Sequence, residues 1–273
     1  MGLSKPFAFM GSTSGGDPGV GYGNPPYDQD LIAYYDFGSQ IEGSWTGSAT
    51  LAEGDIVTDL SGNGLHSTLH DDTETFTYHD NIGKGVIGTT TKGGGYFYMP
   101  VLTGSFADLT EFTFEFVGNI PLALTNDNVI VRFDGLGTSR VESNLQQYGG
   151  TPVPNRISYD CITDQNNSDG PTPTNISTGT GFFHLVLTAA RGETPKCYWQ
   201  GSQLGIGSGS AMAGADDFNF DRSGIQSDTN AWFGTSNYDG GTYLGQIGVF
   251  RLYNSSMPAS SVTSNYNFYS AQF

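Results

Sequence analysis

The chain has 273 residues, of which 27 are acidic and 10 basic, for a net charge of -17. A surface this acidic repels phosphate backbones and anionic headgroups, and no run of Lys or Arg offsets it locally; nucleic acid and membrane are therefore excluded as partner classes. With Gly 40, Tyr 15 and Phe 18, and charged residues at only 14%, the composition predicts a turn-rich all-β protein long enough to bury a large core.

Residues 1–28 are Gly, Pro, Ser and Tyr with scattered Phe. Such a segment cannot bury enough to offset its own ordering, so it reads as an extended N-terminal arm before a domain spanning 29–273. Phe7, Phe9 and Tyr27 suit an arm laid against a neighbouring subunit, because solvated linkers rarely carry such aromatics. Pro6 and Gly11 confine the first apolar run to Phe7 through Met10, which predicts no secretory signal. No stretch reaches the roughly 20 apolar residues of a membrane span.

Leu31 to Phe37 is the first predicted strand, and a Gly- and Ser-rich excursion through Trp45 follows it. At Asp59-Leu60-Ser61-Gly62-Asn63-Gly64-Leu65-His66 an apolar run enters a tight turn. The spacing of Asp59, Ser61 and Asn63 gathers side-chain oxygens that suit a hard cation such as calcium. The alternative is an Asx turn that satisfies its own backbone. Further strands are predicted at Gly85–Gly88, Tyr96–Met99 and Glu111–Val117. The last alternates strictly, with Phe112, Phe114 and Phe116 inward and Glu111, Thr113 and Glu115 outward into solvent.

Asn128–Phe133, Arg156–Ile162 and Phe182–Ala189 continue the pattern, and the polar stretch from Asp164 to Thr180 reads as a surface loop. Cys197 to Leu204 reads as a hairpin turning at Gly201, and Ala231–Gly234 as another strand. Cys161 and Cys197 lie in strand-like runs without metal spacing, as buried thiols or as one cross-strand bridge. In Gly245 to Asn254, Phe250 and Leu252 occupy the even positions and Ile247, Val249 and Tyr253 the odd ones. Both faces are thus apolar, which predicts a central strand covered on each side. After it, Pro258 opens a short helix in which Val262 and Tyr266 share a face.

The order of these pieces resembles the laminin-G-like branch of the concanavalin A-like lectin/glucanase superfamily. The resemblance rests on Leu31–Phe37, Asp59–His66, Phe112–Phe114, His184–Thr188 leading to Gly201, and Gly245–Asn254 with Met257. It implies a two-sheet antiparallel jelly-roll sandwich of about a dozen strands, with one short C-terminal helix. Gly248 and Val249 depart from acidic residues usual in the family, as do Ser260 and Ser261 from the Glu common in its helix.

Glucanases of the superfamily place two catalytic carboxylates four apart on one strand with an aspartate between them. Glu111 and Glu115 have that spacing, but Thr113 stands in the middle. The expectation is therefore solvated glutamates and a non-enzymatic protein. Exposed Trp45, Tyr148, Trp199 and Tyr238 would stack on sugar rings. The role that follows is a virion structural protein of a tailed phage, as capsid decoration, fibre or tail component. In that role a homo-oligomer docks on other virion proteins through its arm and on a host-surface glycan through its lectin-like domain. The alternatives are a free carbohydrate-binding adhesin, and a glycoside hydrolase using Glu111 and Glu115.

Overall fold

The computed structural model describes residues 22–38, 50–70, 77–79, 85–87, 96–100, 108–120, 128–134, 140–146, 156–162, 181–190, 193–204, 218–219, 231–233 and 246–272. Strands are numbered in chain order. The larger sheet runs β14 (Ser202–Gln203), β13 (Lys196–Trp199), β12 (Gly181–Ala190), β8 (Glu111–Ile120), β17 (Gln246–Tyr253), β5 (Gly85–Ile87) and β4 (Thr77–His79). β1 (Leu31–Asp36) also pairs with β17.

The second sheet runs β11 (Arg156–Ile162), β10 (Arg140–Gln146), β9 (Asn128–Asp134), β16 (Ala231–Phe233), β6 (Tyr96–Met99), β3 (Ser67–His70) and β2 (Ile56–Val57). β7 (Asp108–Leu109) and β15 (Phe218–Asn219) make a separate ribbon, and α1 (Ala259–Ser270) follows the last strand. This is the predicted antiparallel sandwich with a C-terminal helix. The strand number exceeds the expected dozen because β2, β7, β14 and β15 have two residues each, too short to show a hydrophobic period.

The inner face of the larger sheet is apolar for the reason the alternation predicts. Phe112, Phe114 and Phe116 of β8 meet Leu185 and Leu187 of β12 and Phe250 and Leu252 of β17 in one core. Tyr35 stacks on Phe250 at 5.9 Å, and Phe183 on Trp199 at 4.9 Å. β17 is central, as expected, between β8 on one side and β1 and β5 on the other.

One detail of β17 differs from strict alternation. The register with β8 shifts between Ile247 and Val249, so Ile247 joins Phe250 and Leu252 in the core while Val249 packs with Tyr22 and Tyr34 outside it. Gly248 sits at this irregularity under the Tyr22 ring, where a Cβ would lie 3.0 Å from the hydroxyl oxygen.

The outer face of the same sheet is covered as well. α1 lies on it with Val262, Asn265 and Tyr269 buried. The predicted Val262/Tyr266 face is thus rotated, and Tyr266 is half-buried beside His184 and Gly201. Residues 22–30, here termed the strap, lie against the same face, with Tyr22 and Pro25 buried and Tyr27 half-buried. The final hairpin turns through Gln200 (φ 51) and Gly201 (φ 72), both in the left-handed region that a tight two-residue turn requires. Among the described residues no helix is long and apolar enough to cross a membrane.

Candidate functional site

Where β8 begins and β12 ends, the loop into α1 leaves a groove of 460 Å³. Glu111, Glu193, Lys196, Tyr198, Gln203 and Ser256 line it. The wall formed by the loop is fastened by two threonines of the outer face. Thr113 Oγ1 donates to the Ser255 carbonyl (2.7 Å) and accepts from Met257 N–H (2.9 Å), and Thr188 Oγ1 bonds Ser256 Oγ at 2.8 Å. Glu111 Oε2 accepts from Ser256 N–H at 3.1 Å, and Lys196 Nζ donates to Glu193 Oε2 at 2.9 Å.

The Tyr198 ring backs the groove together with Met257, and burial pushes its hydroxyl pKa up, so the group stays a donor at neutral pH. The groove thus offers carboxylate acceptors, an ammonium and an amide donor, and a phenol within one small volume. That set matches a ligand carrying several hydroxyl groups, each a donor and an acceptor.

Deeper under α1 lies a second polar region. Glu115, predicted to be solvated, is fully buried. The alternation was right about which face it occupies; the strap and α1 then cover that face. Glu115 Oε1 accepts from His184 Nε2 (2.8 Å) and Asn265 Nδ2 (2.9 Å), and Oε2 accepts from the Tyr253 hydroxyl. Arg251 is its direct cross-strand partner and stacks over the Tyr34 ring at 3.8 Å. Burial pushes the Glu115 pKa up, but the His184 hydrogen bond and charge, the Arg251 charge and the Tyr253 hydroxyl outweigh it and hold the group below the usual carboxylate range. Such a carboxylate, enclosed beneath the helix, cannot reach a glycosidic bond together with Glu111.

Of the predicted site residues, Tyr27, Asp59, Ser61, Asn63 and Trp199 are among those described, and Asp59, Ser61 and Asn63 share one turn. Trp199 packs against the core and stacks on Phe183 instead of presenting a free ring. Asp59 is engaged entirely by protein donors. Oδ1 accepts from Tyr34 N–H (3.0 Å) and Ser61 N–H (2.9 Å), and Oδ2 from Ser61 Oγ (2.8 Å) and Leu65 N–H (3.0 Å). Ser61 Oγ reaches the Ile32 carbonyl, and Asn63 Nδ2 the carbonyls of Leu31 and Ile32, so the turn clamps the start of β1.

Tyr27, predicted to reach a neighbour, faces its own domain, where its ring lies 5.7 Å from that of Tyr253 and its hydroxyl bonds Ser255 Oγ. Of the two readings the buried thiol is the one seen at Cys197, which is free, and burial pushes its pKa up to about 12. Phe7, Phe9, Trp45, Tyr148 and Tyr238 lie outside the described residues. Sequence reasoning missed Lys196, Gln203, Arg251 and Asn265. The signal for Arg251 was visible: a charge inside a strand apolar on both faces.

No protein-family model and no curated protein sequence matches the chain. Solved structures do. The sialidase of Trypanosoma rangeli in complex with sialic acid aligns over 90% of this chain and 34% of its own, at 13% identity and TM-score 0.58. Domain 4 of the GH43 extracellular arabinanase AbnA from Geobacillus stearothermophilus, in complex with arabinotriose, aligns over 87% of this chain and 98% of its own, at 18% identity and TM-score 0.53. The binding domain of botulinum neurotoxin DC in complex with rat synaptotagmin II aligns over 88% and 52%, at 10% identity and TM-score 0.57.

The likeness is one of fold. It extends over the aligned part of each structure, and the chain spans about a third of the length of the sialidase. Two of these neighbours come from enzymes, a sialidase and a GH43 glycoside hydrolase. They overturn the expectation that a chain of this fold has no reaction to perform.

Proposed function

We propose that the chain is a sugar-recognition module that attaches a larger assembly to a glycan, with the groove at Glu111, Lys196, Tyr198 and Gln203 as its ligand site. The observation that carries this reading is the groove itself. Its polar groups surround a 460 Å³ space, within the range of small-ligand sites and suited to one or a few sugar rings. A sandwich domain of the same fold in complex with arabinotriose supports the choice of ligand class.

The assembly we propose is the virion of a tailed phage, in which the chain is a decoration, fibre or tail component and forms a homo-oligomer. The ordered laminin-G-like motifs and the aromatic arm support this setting. Phe7 and Phe9 remain the proposed assembly residues, and Tyr27 leaves that set because its ring and hydroxyl are engaged within the domain.

The test is an array of oligosaccharides probed with the full chain, with arabinotriose as the first solution ligand. Binding is expected, and Glu111→Gln with Lys196→Met should weaken it by about tenfold or more, since each removes a charged hydrogen-bond partner. An array without a binder would overturn the sugar reading. Mass spectrometry of purified particles tests the virion setting separately, and absence of the chain from them would overturn it.

A further inference from the structure

The strap is held at several points, among them Gln272 Nε2 to the Tyr22 carbonyl (3.1 Å), Asn254 N–H to the Asp30 carbonyl (2.8 Å) and the Tyr27 hydroxyl to Ser255 Oγ (2.9 Å), and two further points lead to buried charge. At the first, Gly23 N–H donates to Asp36 Oδ2 (3.2 Å), and the Gly23 carbonyl accepts from the Tyr34 hydroxyl and from Arg251 Nη2, each at 2.9 Å. At the second, Tyr27 N–H donates to Asn265 Oδ1 (3.0 Å), and the Tyr27 carbonyl accepts from Asn265 Nδ2 (3.3 Å). The same Nδ2 donates to Glu115 Oε1. An ionised carboxylate can only accept and a backbone N–H can only donate, so Glu115 and the Tyr27 N–H together fix which way round the Asn265 amide lies. With the amide nitrogen turned to Glu115, its oxygen is left facing Tyr27.

We propose that Glu115 is an acid-operated latch on the strap. While ionised it orients Asn265 and balances Arg251, and on protonation it releases residues 22–30 while both sheets remain folded. The physical reason is the contrast in what each layer depends on. Among the described residues the inner core cluster is built of aromatic and aliphatic side chains and one thiol, none of which titrates between neutral and acid pH. Beneath the strap, a neutral Glu115 would leave Arg251 buried without its cross-strand carboxylate, and Arg251 Nε and Nη1 already lack a protein partner among the described residues. Lifting the strap away from Gly23, whose carbonyl holds Arg251 Nη2, gives the guanidinium access to water.

The groups facing Glu115 come from each element packed on it. They are His184 of β12, Arg251 and Tyr253 of β17, and Asn265 and Tyr269 of α1, with Tyr34 and Asp36 of β1 beyond Arg251. The signs of the two acids are opposite. Burial raises the Asp36 pKa, the hydrogen bonds from Gly23, Gly38 and Tyr34 only partly opposing it, so the folded protein as a whole gains from protonating Asp36 as pH falls. Glu115 is held below its ordinary value of 4.5, so its contribution is present above that pH and is lost as the pH falls through its lower folded value. Release in acid is therefore assigned to Glu115.

Hydrogen exchange of the full chain, read by mass spectrometry from about pH 7 to about pH 3 and corrected for intrinsic rates, tests the latch. Protection at the Tyr27 amide should be lost in acid while amides of β8 and β12 keep theirs. Glu115→Gln, a neutral isostere, should show that loss already at neutral pH with no further acid step. Asn265→Ala should leave the strap unprotected at every pH. The proposal is overturned if strap and strands lose protection in one transition, or if Glu115→Gln retains the acid release. If that variant does not fold, Asn265→Ala decides: a strap still protected at neutral pH and released in acid would also overturn it.

Discussion

The two faces of the larger sheet are both buried, yet they are held by different physics. The inner face is a continuous aromatic and aliphatic surface in which Phe112, Phe114, Phe116 and Phe250 interlock with the second sheet's contribution to the core. The outer face, beneath α1 and the strap, buries Asp36, Thr113, Glu115, His184, Thr188 and Arg251 from the sheet, together with Asn265 from the helix. Dispersion and apolar burial on the inner face have no preferred partner, so many arrangements of similar volume would serve there. On the outer face each polar group must meet a particular partner, or its desolvation goes uncompensated. Strict alternation along β8 therefore separates these two environments but does not separate buried from exposed.

The sharpest way to break this contrast is to remove one large member from each face and compare the pH dependence. Phe250→Ala should destabilise by about 3–5 kcal/mol through the cavity it leaves. Chemical denaturation should give the same loss at neutral and acid pH, because its described ring partners, Tyr35 and Phe114, do not titrate in that range. Glu115→Ala should cost a similar amount at neutral pH, about 3–5 kcal/mol, by leaving Arg251 and the His184 ring without their carboxylate. That cost should shrink as pH falls below 4.5, because the wild-type protein then loses the same contribution. A Glu115→Ala penalty independent of pH would mean that the outer face is held by packing alone.

A smaller effect sharpens how the helix is seated. Gly201→Ala would force a side chain into the left-handed region at φ 72 and place its Cβ 2.8 Å from Tyr266 Cδ1. About 1–3 kcal/mol should be lost in thermal or chemical unfolding. The smallest expected effect concerns the Asp59 turn. Its carboxylate already accepts from four protein donors, so Tm in calcium and in excess chelator should coincide. A Tm that rises with calcium would assign the turn a metal after all.

Much of the sandwich was legible before any coordinates. β1, β6, β8, β11, β12 and β17 coincide closely with runs that alternate or are rich in β-branched and aromatic residues, and the Gly201 turn sits where a left-handed residue is demanded. β10, reading RVESNLQ, was missed because it is polar and lacks an apolar period; pairing with β9 and β11 supplies its order. The groove was not legible because its lining comes from residues as far apart as Glu111, Lys196 and Ser256. Trp199 misled for a related reason: an aromatic near a turn reads the same whether its ring meets Phe183 or solvent.

By itself the sequence determined the all-β class, the central place of β17 and the presence of a helix after Pro258, because these follow from periodicity and backbone restriction acting over neighbouring residues. Tertiary structure alone decided that Glu115 is sealed in, that Asn265 grips the strap and that Ile247 turns into the core. Each of these depends on what a distant segment lays over the sheet, and local alternation carries no record of that.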